Sequence, residues 1–224
     1  TGRVNNKIHE KSEIPRNDFE NKFNLLIDRI CKSKKPILIL GSSIINLDLK
    51  RKIEDLSIPI FTTAAGRGLI NEELSQSAGI FTSDGQELSN EKVLFQICDL
   101  IIAIGLSLNE ITGELNEKYP FIFFEFEDNF RNNDLKFKEN KYLNLVQKRH
   151  VIEIINNLKK KDWDYSQLID NKKLIYKELT RDEWLPAICF REINKLKYPF
   201  SLIIDTGNFC TIAEHIILIT NNRK

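Results

Sequence analysis

Residues 36–68 constrain the possible fold more than any other stretch of this chain. Residues 37–40 form an unbroken apolar run, ILIL, that stops at Gly41. Such a run is expected of a parallel strand buried on both faces. Ser42 and Ser43 follow, and Asn46 is placed to cap a helix with Leu49, Ile53 and Leu56 on one face. Pro59 restarts the chain in a second strand over residues 60–62, and Gly66, Arg67 and Gly68 turn it. Strand, helix and strand in this order predict a crossover with both glycine turns at one edge of a parallel sheet. Free backbone N–H groups are expected at that edge, where a phosphate can approach. Gly41, Ser42, Thr63, Gly66, Arg67, Gly68 and, from a later strand, Gly105 are therefore candidate nucleotide contacts. Glycine also ends buried strands wherever a chain must turn sharply, and that structural role is weighed ahead of binding. Arg67 is expected to be solvated, as surface arginines usually are.

The same pattern continues downstream. Residues 87–97 read as a helix, 100–104 as a strand ended by Gly105, 121–126 as a third apolar strand and 142–146 as a shorter one. Residues 71–81 show no period and read as irregular. A helix capped at Asn17 or Asp18 carries Phe19, Phe23, Leu26, Ile27 and Ile30 on one face, and another covers residues 151–158. Alternating strands and helices predict an α/β fold, a doubly wound parallel sheet forming a Rossmann-like central domain over residues 17–158. Residues 1–16 read as an N-terminal arm or linker and 159–181 as a charged linker with some helix. Residues 182–224 read as an incomplete second α/β unit, with a helix at 183–196, a strand at 200–204 and an apolar strand from Ile216.

Charge narrows the function classes. Thirty-three basic residues stand against 32 acidic ones, a net charge of +1, which gives no general attraction to nucleic acid or anionic membrane. No apolar run approaches the ~20 residues of a membrane span, and no signal peptide is present, so a cytoplasmic chain is expected. Cys31, Cys98, Cys189 and Cys210 are widely spaced, with no CxxC pair. Reduced thiols, two of them buried in apolar surroundings, are expected rather than disulfides or metal ligands. His9, His150 and His215 show no metal-ligand spacing, and His215 reads as a surface histidine on a helix. The basic run 32–35 reads as the solvated last turn of the first helix. The chain contains no methionine, which predicts that its natural start lies outside these residues.

Residues 58–85, IPIFTTAAGRGLINEELSQSAGIFTSDG, and CDLIIAIGLSLNEITG at 98–113 carry a family resemblance. Together they resemble the central domain of thiamine-diphosphate-dependent enzymes of the acetolactate synthase, benzoylformate decarboxylase and oxalyl-CoA decarboxylase group. The resemblance covers residues 34–146. Residues 201–208, SLIIDTGN, look like the opening strand and turn of that family's diphosphate-binding domain. It implies that Gly207, Asn208 and Phe209 contact thiamine diphosphate, joined by Asn221, with Asn222 as a ligand of Mg2+, a hard cation suited to an amide oxygen. The catalytic acid–base groups would then lie outside this chain.

The resemblance implies part of a thiamine-diphosphate-dependent lyase or transferase acting on a 2-keto acid, inactive alone, in a homodimer or homotetramer. Two alternatives stay open: a stand-alone module binding NAD, FAD or ADP, and a non-catalytic homologue. Tightly bound FAD is not expected, because residues 106–110 lack the arginine of flavin-binding members, and Glu125 and Glu127 stand where those members place aspartates. The family's Gly-Asp-Gly metal loop is also absent. Only residues 209–216 separate Asn208 from Ile217, short of the dozen or so residues of a parallel crossover. A break in the chain is therefore expected between about Cys210 and Ile219.

Overall fold

The computed structural model describes residues 16–83, 89–106, 119–125, 142–144, 147–181, 185–204 and 207–220. Six parallel strands form one sheet: β1 (Pro36–Leu40), β2 (Ile60–Thr62), β3 (Ser77–Ile80), β4 (Leu100–Ile104), β5 (Phe121–Glu125) and β6 (Tyr142–Asn144). Their spatial order is β3-β2-β1-β4-β5-β6, the doubly wound order in which the chain reverses direction between β1 and β4. The register aligns Leu40 with Ile104 at that reversal. All of Ile37, Leu38, Ile39 and Leu40 are fully buried, as are Ile101, Ile102 and Ile104, which explains their uninterrupted apolar runs.

Helices cover both faces. On one side, α1 (Arg16–Lys32) lies beside α4 (Lys148–Leu158), and Phe23 meets Phe124 of β5 edge-on at 6.3 Å. On the other, α3 (Asn90–Ile97) places Phe95 against Phe61 and Phe121. Phe121 and Phe124 thus face opposite helix layers, as alternation along a strand requires. Ser89 caps α3 by accepting from the Lys92 amide at 3.4 Å.

Local signals bind the layers. The Asp99 carboxylate, at the start of β4, accepts from Ser33 Oγ at 2.5 Å, the Lys34 amide at 2.6 Å and the Lys35 amide at 2.9 Å. Burial alone would raise its pKa, but these bonds outweigh it and hold it below the usual carboxylate value. The last turn of α1 is capped by Lys161, whose Nζ donates to the Cys31 and Ser33 carbonyls, in keeping with the negative end of the helix dipole.

Several expectations are corrected. Asn46 does not cap a helix: residues Ser42–Leu47 form a 3-10 turn, Asp48 takes the left-handed conformation, and α2 is confined to Lys50–Glu54. Residues 71–81 contain β3, hidden by its small residues Ser77, Ala78 and Gly79. No strand forms at 200–204 or at 217–220. Instead α5 (Ser166–Leu179) packs on α3 and α7 (Asn208–Ile216) on β3, with α7 also touching α5 and α6 (Leu185–Asn194). In the stretch where a break is expected, α7 spans Asn208–Ile216 and ends with the Ile217 amide donating to the Ala213 carbonyl at 2.8 Å. The four cysteines are free, as expected, but none is buried: Cys31 and Cys189 are exposed and the other two half-buried.

Candidate functional site

Reversal of strand order brings the ends of β1, β2 and β4 together, and the candidate glycines meet there. A Cβ on Gly41 would lie 2.1 Å from the Gly105 carbonyl oxygen and 2.6 Å from Leu106 Cα. Gly105 has φ +67°, and its own Cβ would fall 2.8 Å from Ile44 Cγ2. Backbone therefore touches backbone across the reversal, and only glycine fits on either side. Gly66 does not adopt positive φ; its constraint is proximity, with Leu40 O 2.8 Å from a Cβ placed there.

The amides of Gly41, Thr63, Gly66 and Gly105, expected to be free, are engaged within the chain, as is that of Ser43. Gly41 N–H donates to Ile104 O at 2.9 Å, Ser43 N–H to Gly105 O at 3.2 Å and Thr63 N–H to Leu40 O at 2.9 Å. Gly66 N–H is shared between the Thr63 carbonyl and hydroxyl, both at 3.0 Å, and Gly105 N–H reaches Phe124 O at 2.8 Å. Ser42 lies half-buried in the 3-10 turn beside them. Hydrogen bonds and close approach account for these glycines as packing devices.

Arg67 is not solvated. Its Nε donates to Glu72 Oε1 at 2.8 Å and one terminal nitrogen to Glu72 Oε2 at 2.6 Å, a bidentate pair. The same nitrogen reaches the Ile217 carbonyl at 2.5 Å. Only 15% of the Arg67 side chain and 7% of Glu72 are exposed. Gly68, at φ +92°, lies beneath Ile219, whose Cγ2 is 3.8 Å from a Cβ built there. The C-terminal segment thus lies over the turn that was expected to face a ligand.

Charged groups gather around this contact. Burial raises the Glu214 pKa, with Arg67 opposing, and Cys210 Sγ sits 3.7 Å from Glu214 Oε1. His215 is half-buried rather than on the surface; burial and then Arg67 lower its pKa, favouring the neutral ring. Lys172 of α5 donates to Ser77 O at 3.0 Å; burial lowers its pKa while Glu72 pulls it back. No spacing rule pointed to Glu72, Lys172, Glu214 or Asn194, because their partners come from segments far off in sequence.

The first turn of α7 has the opposite character. Gly207 has φ +127° and an added Cβ there would meet nothing within 4 Å, while Phe209 is exposed. The Cys210 amide donates to Gly207 O at 3.0 Å. Of Asn208 only the backbone is described. Asn221, Asn222, Glu127 and residues 107–110 lie outside the described residues, as does the side chain of Glu125. Among the described residues no group of three or more His, Cys, Asp or Glu side chains is placed to hold a metal. No described helix is long and apolar enough to cross a membrane.

Residues 23–129 match the family model for the thiamine pyrophosphate enzyme central domain. Over those residues the chain is similar to a thiamine pyrophosphate enzyme central domain. The matched stretch contains the whole switch point, with β1 to β5, α2, α3 and the later part of α1. Acetolactate synthase large subunits are similar to it: that of Pyropia yezoensis is 33% identical over 93 residues, covering 39% of this chain and 15% of the relative. A probable acetolactate synthase large subunit of Methanocaldococcus jannaschii is 30% identical over 96 residues, 41% of this chain and 16% of the relative. The thiamine metabolism regulatory protein of Saccharomyces cerevisiae is 25% identical over 199 residues, 81% of this chain and 30% of the relative. That last similarity extends past the central domain into α5 and beyond. The chain spans about 15% of the length of the acetolactate synthase subunits it matches.

Proposed function

We propose that this chain is part of a thiamine-diphosphate-dependent enzyme acting on a 2-keto acid by decarboxylation, carboligation or both, in the manner of acetolactate synthase. The central-domain match over residues 23–129 carries the reading, and the acetolactate synthase relatives give its direction. The bound cofactor would supply an electron sink for the carbanion left when the keto acid loses carbon dioxide. Residues 182–224 form part of the diphosphate-binding unit in this reading.

The residues present fit a diphosphate at one place. The first turn of α7 is open on its Gly207 side, and the leading amides of a helix are disposed to meet an anion. Gly207, Asn208 and Phe209 would hold the diphosphate through that turn, and the resemblance adds Asn221 as a further diphosphate contact and Asn222 as a Mg2+ ligand. The central domain would act as scaffold, because its donors at the switch point already serve the sheet. A cytoplasmic homodimer or homotetramer, with its site between subunits, completes the proposal.

A second reading is favoured by the length of the similarity to the Saccharomyces cerevisiae regulatory protein. In it the chain binds thiamine diphosphate as a signal and turns over no keto acid. Pyruvate consumption by the full natural protein, with and without thiamine diphosphate and Mg2+, separates the two. Cofactor-dependent loss of pyruvate supports the enzyme; tight cofactor binding with no turnover supports the regulator. Failure to bind the cofactor at all refutes both.

A further inference from the structure

The extended segment after α7 is held by its main chain. Asn194 Nδ2 donates to the Ile216 carbonyl at 2.6 Å, and the Leu218 amide donates to Asn194 Oδ1 at 3.0 Å. Arg67 donates to the Ile217 carbonyl at 2.5 Å. The Ile219 amide donates to Glu72 Oε2 at 2.8 Å, and the Glu72 amide donates to the Ile219 carbonyl at 2.9 Å. Each partner has the polarity its target needs: the amide of Asn194 serves as donor and acceptor, Arg67 only donates, and the Glu72 carboxylate only accepts.

We propose that Arg67, Glu72 and Asn194 are positioning residues that form a main-chain clamp, fixing α7 and its first turn against the end of β2. The importance of the clamp for cofactor binding rests on the proposed role of Gly207 and Asn208; its existence does not. Arg67 orients the Glu72 carboxylate by the bidentate pair, so that Oε2 is presented to the Ile219 amide. Ala213, Ile216 and Ile217 are buried, yet they stand outside the main apolar core, so directed polar contacts supply what wide apolar contact does not. A nine-residue helix is a rod roughly 13 Å long, and gripping its C-terminal end sets the place of its first turn.

Amide hydrogen exchange of the full chain tests this, with Glu72→Ala and Asn194→Ala made separately. In each variant the amides of Ile217, Leu218, Ile219 and Cys210 should exchange about tenfold faster or more, while those of β1 and β4 keep their protection. The double exchange Arg67→Glu with Glu72→Arg separates a clamp from a simple ion pair. It restores opposite charges but sets an acceptor against the Ile217 carbonyl and a donor against the Ile219 amide. Thermal stability should recover while the amides after α7 stay fast. Unchanged exchange at Cys210 and Ile217 in Asn194→Ala, or restored protection in the double variant, would overturn the proposal. Should Glu72→Ala unfold the sheet as well, the Asn194→Ala result decides.

Titration with thiamine diphosphate and Mg2+ gives a separate reading, with affinity expected to fall about tenfold in Asn194→Ala. A wild-type chain that binds no cofactor refutes the diphosphate role of α7, whereas the exchange result judges the clamp alone.

Discussion

The central sheet and the C-terminal helices solve the problem of holding together in different ways. Around β1 and β4 the side chains are fully buried and the glycines let backbone meet backbone. Around α6 and α7 large apolar residues face outward, with Leu185 70% and Ile203 95% exposed, and directed hydrogen bonds from Arg67, Glu72 and Asn194 make the attachment. Apolar close packing tolerates almost no change of volume. A polar attachment tolerates volume but depends on matched donors and acceptors. The first region suits a scaffold, and the second suits a part whose place must be set without being welded.

Gly41→Val should break the comparison most severely. Its side chain would collide with Gly105 O and Leu106 Cα, and a loss of about 3 kcal/mol or more in urea denaturation is expected. At Gly207 space is open and only the positive φ matters, so Gly207→Ala should cost about 1–2 kcal/mol, seen as faster exchange in α7.

Ile102→Ala comes next. It empties volume in a fully buried strand and should cost about 2–5 kcal/mol of global stability. Ile203→Ser, at an exposed site, should leave stability within about 0.5 kcal/mol. A large loss on Ile203→Ser would show that residues 200–204 are packed after all.

A smaller effect distinguishes the two regions by pH. His150 is buried between Phe19 and Phe23 on the central domain. Burial, then Arg149, lowers its pKa, while Glu20, 3.9 Å from its Nε2, and Glu153 pull upward. The folded value lies below the unfolded one, so the contribution of this group is complete above pH ~6.5 and is lost as pH falls through the folded pKa. His150→Leu should flatten the loss of global stability below pH ~6.5 in acid titration. His215 has the same sign, but its protonation should appear first as faster exchange around α7, with the sheet still protected.

The central sheet was legible because a doubly buried strand needs an apolar run, and residues 37–40, 100–104 and 121–124 supply it without interruption. β3 escaped notice because Ser77, Ala78 and Gly79 are small enough to pair in the sheet without an apolar signature. Residues 200–204 misled in the opposite direction: an apolar run reads as a strand, but a strand exists only where a neighbour pairs with it. Arg67 read as solvated because its partners, Glu72 and the Ile217 carbonyl, are brought to it only by the fold. The candidate glycines were found, but the engagement of their amides depends on register, which composition does not encode.

Site-resolved NMR titration of the chain with thiamine diphosphate and Mg2+ tests most directly the division between a closed scaffold and an open cofactor turn. The account predicts saturable shifts at the amides of Gly207, Asn208 and Phe209, with Gly41, Gly66 and Gly105 unmoved. Shifts centred on Gly41, Gly66 and Gly105, or a spectrum that does not change at all, would contradict it.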